Sequence, residues 1–182
     1  MKIKHERRKP RLSHRYRFQL LHQLLTQVYS PCRALDIGGG KGLLAYLLNQ
    51  SGWRVTVVDP VSQVLPPKFR DLEKKRTKLP AEELISVPRI TTPFSKELAE
   101  GFNLLIGLHA HGSNLKIIDA CRKYGVNFVL LPCCVVDEPL VKKPGINWLN
   151  SLEEYAKEQG FEVKKSVLNF KGQNVVLYTT RD

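Results

Sequence analysis

A chain of 182 residues, 42% hydrophobic and 25% charged, has the length and composition of one globular domain, and they exclude a low-complexity or disordered protein. Its net charge of +12 points to a polyanionic partner, nucleic acid foremost. No apolar run nears the ~20 residues of a membrane span, and the basic start has no apolar stretch behind it, which argues against a membrane anchor and a secretory signal.

The chain opens on a cationic segment that includes Lys4, Arg7, Arg8, Lys9, Arg11 and Arg15. Pro10 breaks any continuous helix here, so residues 1–12 read as a flexible basic arm that contacts RNA phosphates, and 13–182 as the folded domain. A solvated tail is the alternative. Ser13 is a helix cap, and Leu20, Leu21, Leu24, Leu25 and Val28 make one apolar stripe, so a core-packed helix precedes Pro31.

The centre of the sequence is Arg33-Ala-Leu-Asp-Ile-Gly-Gly-Gly-Lys-Gly-Leu-Leu-Ala45. Ala34, Leu35 and Ile37 form a run too short for a helix and closed by glycines, which is a buried strand. Gly38, Gly39, Gly40 and Gly42 let a ligand approach the backbone, and Leu43, Leu44, Leu47 and Leu48 begin a helix. Strand, glycine turn and helix together make a nucleotide crevice. The dinucleotide fingerprint fails because Leu43 replaces its third glycine, and the P-loop fails because Gly42 follows Lys41. The pattern present is Asp-x-Gly-x-Gly-x-Gly. A second acid, Asp59, ends the next strand, at about the 20-residue spacing of a ribose-binding carboxylate.

Farther along, 53–58 is a second strand. Pro60 opens an irregular passage in which Phe69–Lys78 reads as partly helical and its cations as a solvated face. Val87–Thr91 is a third strand, 97–101 the end of a short helix, 102–108 a fourth strand, Leu115–Tyr124 a helix and 126–131 a fifth strand. A loop spans 135–146, and a helix from Trp148 stops at Gly160. Phe161–Phe170 and Asn174–Thr180 make a final hairpin. The class is α/β with a mixed, mainly parallel sheet.

Asp36, Gly38, Gly40 and Asp59 match, one by one, the cofactor positions of the class I S-adenosylmethionine (SAM) methyltransferases, and the chain resembles that family. The resemblance implies a Rossmann-like fold with a seven-stranded, mainly parallel sheet, helices on both faces and the last strand inserted antiparallel between strands five and six. It implies SAM as cofactor, with the first acid near the methionine amino group and the second on the ribose hydroxyls. Gly39, Gly42, Pro60, Thr92 and Leu108 join the cofactor set. The strings Gly-Leu-His109-Ala-His111-Gly and Leu-Pro-Cys133-Cys134 resemble a narrower branch that includes 2′-O-ribose tRNA methyltransferases acting on the acceptor stem. His111 and Ser113 stand where that branch carries cysteine and aspartate, so the substrate stays open.

Three readings of this second cluster stand side by side. His109 is a general base near the methyl group; or His109, His111, Cys133 and Cys134 bind zinc; or all four shape the pocket. No metal is expected, because His-x-His with adjacent cysteines is not common zinc spacing. Adjacent Cys133 and Cys134, with Cys32 and Cys121, suit reduced thiols and a cytoplasmic location. The expected function is SAM-dependent methyl transfer, with RNA (tRNA or rRNA) as target and a protein partner as a further source of target recognition. The alternatives are a non-catalytic SAM-binding module of an RNA-processing assembly, or a small-molecule or protein methyltransferase. The oligomeric state is not legible.

Overall fold

The computed structural model describes residues 10–133, 138 and 147–180. Most of the basic arm, Cys134 and nearly all of the 135–146 loop therefore lie outside the described residues. In chain order a 3₁₀ turn at His14–Tyr16 leads into α1 (Arg17–Val28), followed by β1 (Arg33–Ile37), α2 (Leu43–Gln50) and β2 (Arg54–Val58). A ribbon of β3 (Lys68–Asp71) and β4 (Lys75–Lys78) precedes β5 (Arg89–Ile90), β6 (Leu104–Leu108), α3 (Asn114–Tyr124) and β7 (Asn127–Leu131). The chain closes with α4 (Trp148–Glu158), β8 (Lys164–Val167) and β9 (Val175–Tyr178).

The main sheet has seven strands in the order β5-β2-β1-β6-β7-β9-β8. The pairings from β5 to β7 are parallel, and β9 enters antiparallel between β7 and β8. This is the order the family resemblance implies. Period-two alternation divides the central strands between two cores. Ala34, Val55, Val57, Leu104 and Ile106 pack with Leu21 and Leu25 of α1 and Leu44 and Leu48 of α2. Leu35, Ile37, Leu105, Phe128 and Leu130 pack with Ile117 and Ile118 of α3 and Leu152 and Ala156 of α4. Helices thus cover both faces, and the α1 stripe is core.

Local chemistry sets the helix ends. Ser13 caps, but it caps the 3₁₀ turn, its Oγ accepting the Arg15 N–H at 3.4 Å. Gly125 closes α3 in the left-handed region at φ 69°, where a side chain would be strained. Among the described residues, no helix is long and apolar enough to cross a membrane.

The helical reading of Phe69–Lys78 is wrong: β3 and β4 pair antiparallel, Phe69 opposite Thr77 and Arg70 opposite Arg76. The turn between them competes with helix. Asp71 Oδ1 accepts the N–H groups of Glu73 and Lys74, both at 2.8 Å, and Oδ2 accepts the Thr77 hydroxyl at 2.9 Å. Lys75 reverses the chain at φ 60°. A side chain that bonds its own backbone this way closes a turn before a helix propagates. Phe69 then anchors the ribbon, edge-on to Tyr46 of α2 with ring centroids 6.4 Å apart.

The start of the described chain is tied to its far end. The Leu12 N–H donates to the Asn169 carbonyl at 3.0 Å and the Lys171 N–H to the Leu12 carbonyl at 2.9 Å, bridging Leu12 to Phe170. Leu12, the last residue of the segment read as arm, is thus paired within the fold.

Candidate active site

The carboxyl ends of β1, β2 and β6 converge where strand order reverses, the place a doubly wound sheet offers a ligand. A hollow of about 350 Å³ opens there, lined by Asp36, the glycines 38–40 and 42, Leu108 and His109. Arg17 and Phe18, from the start of α1, form its lip. A second groove is lined by Asp59, Pro60, Pro93, Phe94, His109 and His111. Gly38 and His109 line both, so the two hollows adjoin and together form a trough. All the expected cofactor residues line it except Thr92, whose neighbours Pro93 and Phe94 do so instead.

Gly38, Gly40 and Gly42 carry φ values of 66°, 52° and 82°. Gly39 is required for space: a Cβ there would stand 2.6 Å from Asp36 Oδ2. The turn is held from one side by Asp59, whose Oδ2 accepts the Gly40 N–H at 2.9 Å while Oδ1 accepts the Val61 N–H at 2.9 Å. From another side Arg89 of β5 donates through Nη1 to the Gly40 carbonyl at 2.7 Å. Arg89 Nη2 is buried without a partner among the described residues.

Asp36 is 1% exposed, and its carboxylate oxygens make no hydrogen bond of good geometry among the described residues, the Ala45 amide being a backbone donor within weaker reach. Burial pushes its carboxyl up to about 7; the Ala45 amide and the Arg89 charge oppose the rise, and Asp59 adds to it. Burial also lowers Arg89, against the pull of both acids. A buried acid with acceptor capacity left is a place for a cationic or amine-bearing ligand.

His109 follows β6 in a left-handed conformation, φ 57°, fixed by its N–H to the Leu131 carbonyl at 3.1 Å. Non-glycine residues held there mark positions the surrounding fold over-determines. Its Nε2 is buried with no partner among the described residues. Burial, then Arg17, His111 and His14, bring its pKa down to about 4, so the ring is neutral at physiological pH. His109 therefore lines the trough with a left-handed backbone and a buried Nε2 that has no partner among the described residues.

His111 is exposed, and its Nε2 lies 3.4 Å from Cys133 Sγ. Among the described residues, no group of three or more His, Cys, Asp or Glu is disposed to hold a metal; Cys134 lies outside them. Arg11 and Arg15 are exposed, while Lys4, Arg7, Arg8 and Lys9 lie outside the described residues.

Sequence reasoning missed Arg89, the Arg17–Phe18 lip and Glu138. Glu138 Oε1 accepts the Asn114 N–H at 2.8 Å and its Nδ2 at 2.6 Å, capping α3 beside the His109 loop. A lone arginine in a two-residue strand, or a glutamate in a loop, carries no spacing signal.

The trough suits SAM on its own chemistry: a buried acid with acceptor capacity left for an amine, a glycine turn whose residue 39 has no room for a Cβ beside that acid, and a second acid after β2. No protein-family profile matches the sequence, and no curated protein does. Solved structures do resemble it. The apo form of the SAM-dependent methyltransferase SibL is 15% identical, over 90% of this chain and 54% of that one, with a TM-score of 0.53. This chain thus spans about half the length of that protein. Ribosomal protein L11 methylase from Lactobacillus delbrueckii subsp. bulgaricus is 17% identical, over 95% and 82%, with a TM-score of 0.55. A fibrillarin/Nop5p complex contains a chain 13% identical, over 93% and 83%, with a TM-score of 0.55. The likeness is one of fold: this chain has the Rossmann-like fold of the SAM-dependent methyltransferases.

Proposed function

We propose that the protein is a SAM-dependent methyltransferase acting on RNA. The observation that carries the reading is the pair of adjoining hollows, one lined by Asp36 and the other by Asp59, that share Gly38 and His109. Asp36 would receive the amino group, the glycine floor would lie under the cofactor, and Asp59 would take the ribose hydroxyls. The bound cofactor supplies an electrophilic methyl group on a sulfonium. His109, neutral and with a free Nε2, accepts the hydrogen bond of the attacking group and then its proton. The Arg17–Phe18 lip shields the reacting end from water.

RNA as target is supported by the charge of +12 and by cations at the lip, with the basic arm reaching phosphates through Lys4, Arg7, Arg8, Lys9, Arg11 and Arg15. The likeness to a chain of the fibrillarin/Nop5p complex agrees with a protein partner that aids target recognition. Titration calorimetry with SAM, S-adenosylhomocysteine and NAD tests the cofactor, with NAD expected not to bind. Transfer of labelled methyl from SAM to total RNA, with total protein as control, tests the substrate. No SAM binding at millimolar ligand would overturn the reading.

A second reading, a SAM-binding subunit without its own activity, is favoured by one observation. The pKa of about 4 makes His109 a weak base. Binding of SAM and RNA together without methyl transfer in a single turnover would select it.

A further inference from the structure

The outer face of the β3–β4 ribbon carries four cations in register and no acid. Lys68 stands opposite Lys78, and Arg70 opposite Arg76. All four are exposed, and none has a side-chain hydrogen bond or ion pair among the described residues. Like charges directly opposite across strands are destabilising, so this arrangement works against the ribbon that displays it. The ribbon holds because other contacts fix it. Phe69 is buried against Tyr46, Gln19 of α1 donates to the Arg70 carbonyl, and the Leu79 N–H closes the base on the Pro67 carbonyl at 3.0 Å. Alternation sends Phe69 inward, and the two cation rows therefore face solvent.

Side chains on one face of a strand recur about 7 Å apart, and paired strands lie about 5 Å apart. The result is a compact square of positive charge, on the scale of successive phosphates along an extended nucleic-acid strand. The outer face carries no aromatic or apolar residue to stack a base or anchor a peptide side chain. The ribbon begins just after Pro66, which lines the hollow.

We propose that this face docks the sugar-phosphate backbone of RNA beside the trough, without reading sequence. The proposal rests on the RNA reading above and gives it a surface within the folded domain. The partnerless like-charge rows become favourable when phosphates lie over them and release their counterions.

The test uses the full chain and a labelled mixed-sequence RNA of about 20 nucleotides, titrated without cofactor between about 50 and 200 mM salt. Two double variants are compared: Arg70→Glu with Lys78→Glu, which puts opposite charges across each row, and Arg70→Gln with Lys78→Gln. The first is expected to melt at or above the wild-type temperature yet bind RNA at least about tenfold more weakly. Both are expected to flatten the salt slope, by about 0.7 for each phosphate no longer neutralised. If the acidic variant unfolds, the glutamine variant decides. Unchanged RNA affinity and slope in a folded variant overturn the proposal. So does competition by poly-glutamate equal to that of RNA at matched charge, which would assign the face to an acidic protein. SAM affinity, titrated separately, is expected to be unchanged, so a failed methyltransferase reading and a failed docking surface give different results.

Discussion

Asp59 holds the Gly40 N–H at 2.9 Å across the gap between the second strand and the glycine turn. One carboxylate therefore shapes the floor of the trough and offers its remaining lone pairs to a ligand. Replacing it touches both tasks.

Asp59→Ala is expected to weaken SAM and S-adenosylhomocysteine binding by about 1–3 kcal/mol, the range for charge-assisted hydrogen bonds. Calorimetry measures this directly. An unchanged dissociation constant would remove Asp59 from the ligand's contacts.

Asp36 gives a pH signature. Its carboxyl is raised from 3.8 to about 7, so the folded protein keeps a proton that the unfolded chain releases. The stability this contributes is full below about pH 4 and is lost as pH rises through about 7. Asp36→Asn removes the buried charge and is expected to stabilise the protein by roughly 2–4 kcal/mol at pH 8, while weakening SAM binding. Thermal melts of both proteins from pH 5 to pH 8 should show the gap widening with pH. A constant gap would mean that Asp36 is not the titrating group.

His109→Asn tests the proton acceptor. Asparagine tolerates the left-handed backbone at this position, so the loop survives. Turnover is expected to fall by about 10²–10⁴ with cofactor affinity little changed. Because the ring titrates at about 4, the wild-type rate should show no step from this residue between pH 5 and 8 and should fall as pH drops through about 4. Asp36 titrates at about 7 in the same site, so the diagnostic background is Asp36→Asn: a rate that still falls around pH 6.5 in that variant would mean the imidazole is not held down as the geometry indicates.

Removing residues 1–9 separates the arm from the domain, since Leu12 stays paired with its partners at Asn169 and Lys171. RNA affinity should drop and its salt slope flatten, by about 0.7 for every phosphate the arm had neutralised, with no change in SAM affinity. Equal slopes before and after truncation would place all RNA contacts on the folded domain.

The sequence made the cofactor end legible because its constraints are local. An acid, glycines that must take positive φ, and a helix start sit within ten residues, with a second acid at a fixed strand end. The central strands were readable as short apolar runs because both their faces are buried. The insertion of β9 between β7 and β8 came from family resemblance; no periodicity encodes which edge a late strand joins. The ribbon was misread because a lysine-rich run looks alike as solvated helix or strand. The informative signal was smaller: Phe69 and Thr77 alternate with cations on either side of Asp71, a turn former. Arg89, Phe18 and Glu138 reach the site only through tertiary packing.

The bridge between Leu12 and Phe170 also orders events in time. The helix start that forms the lip of the trough lies just after Leu12, whose backbone partners are more than 150 positions later in the chain. The last-made strand, β9, must likewise slot beside β7 before the sheet is whole. Contacts so distant in sequence slow folding and form late. Leu21 and Leu25 of α1 can settle on Leu44 and Leu48 of α2 well before that, so the lip helix docks early and only its Leu12 tether and the β7 edge wait for the last residues of the sheet.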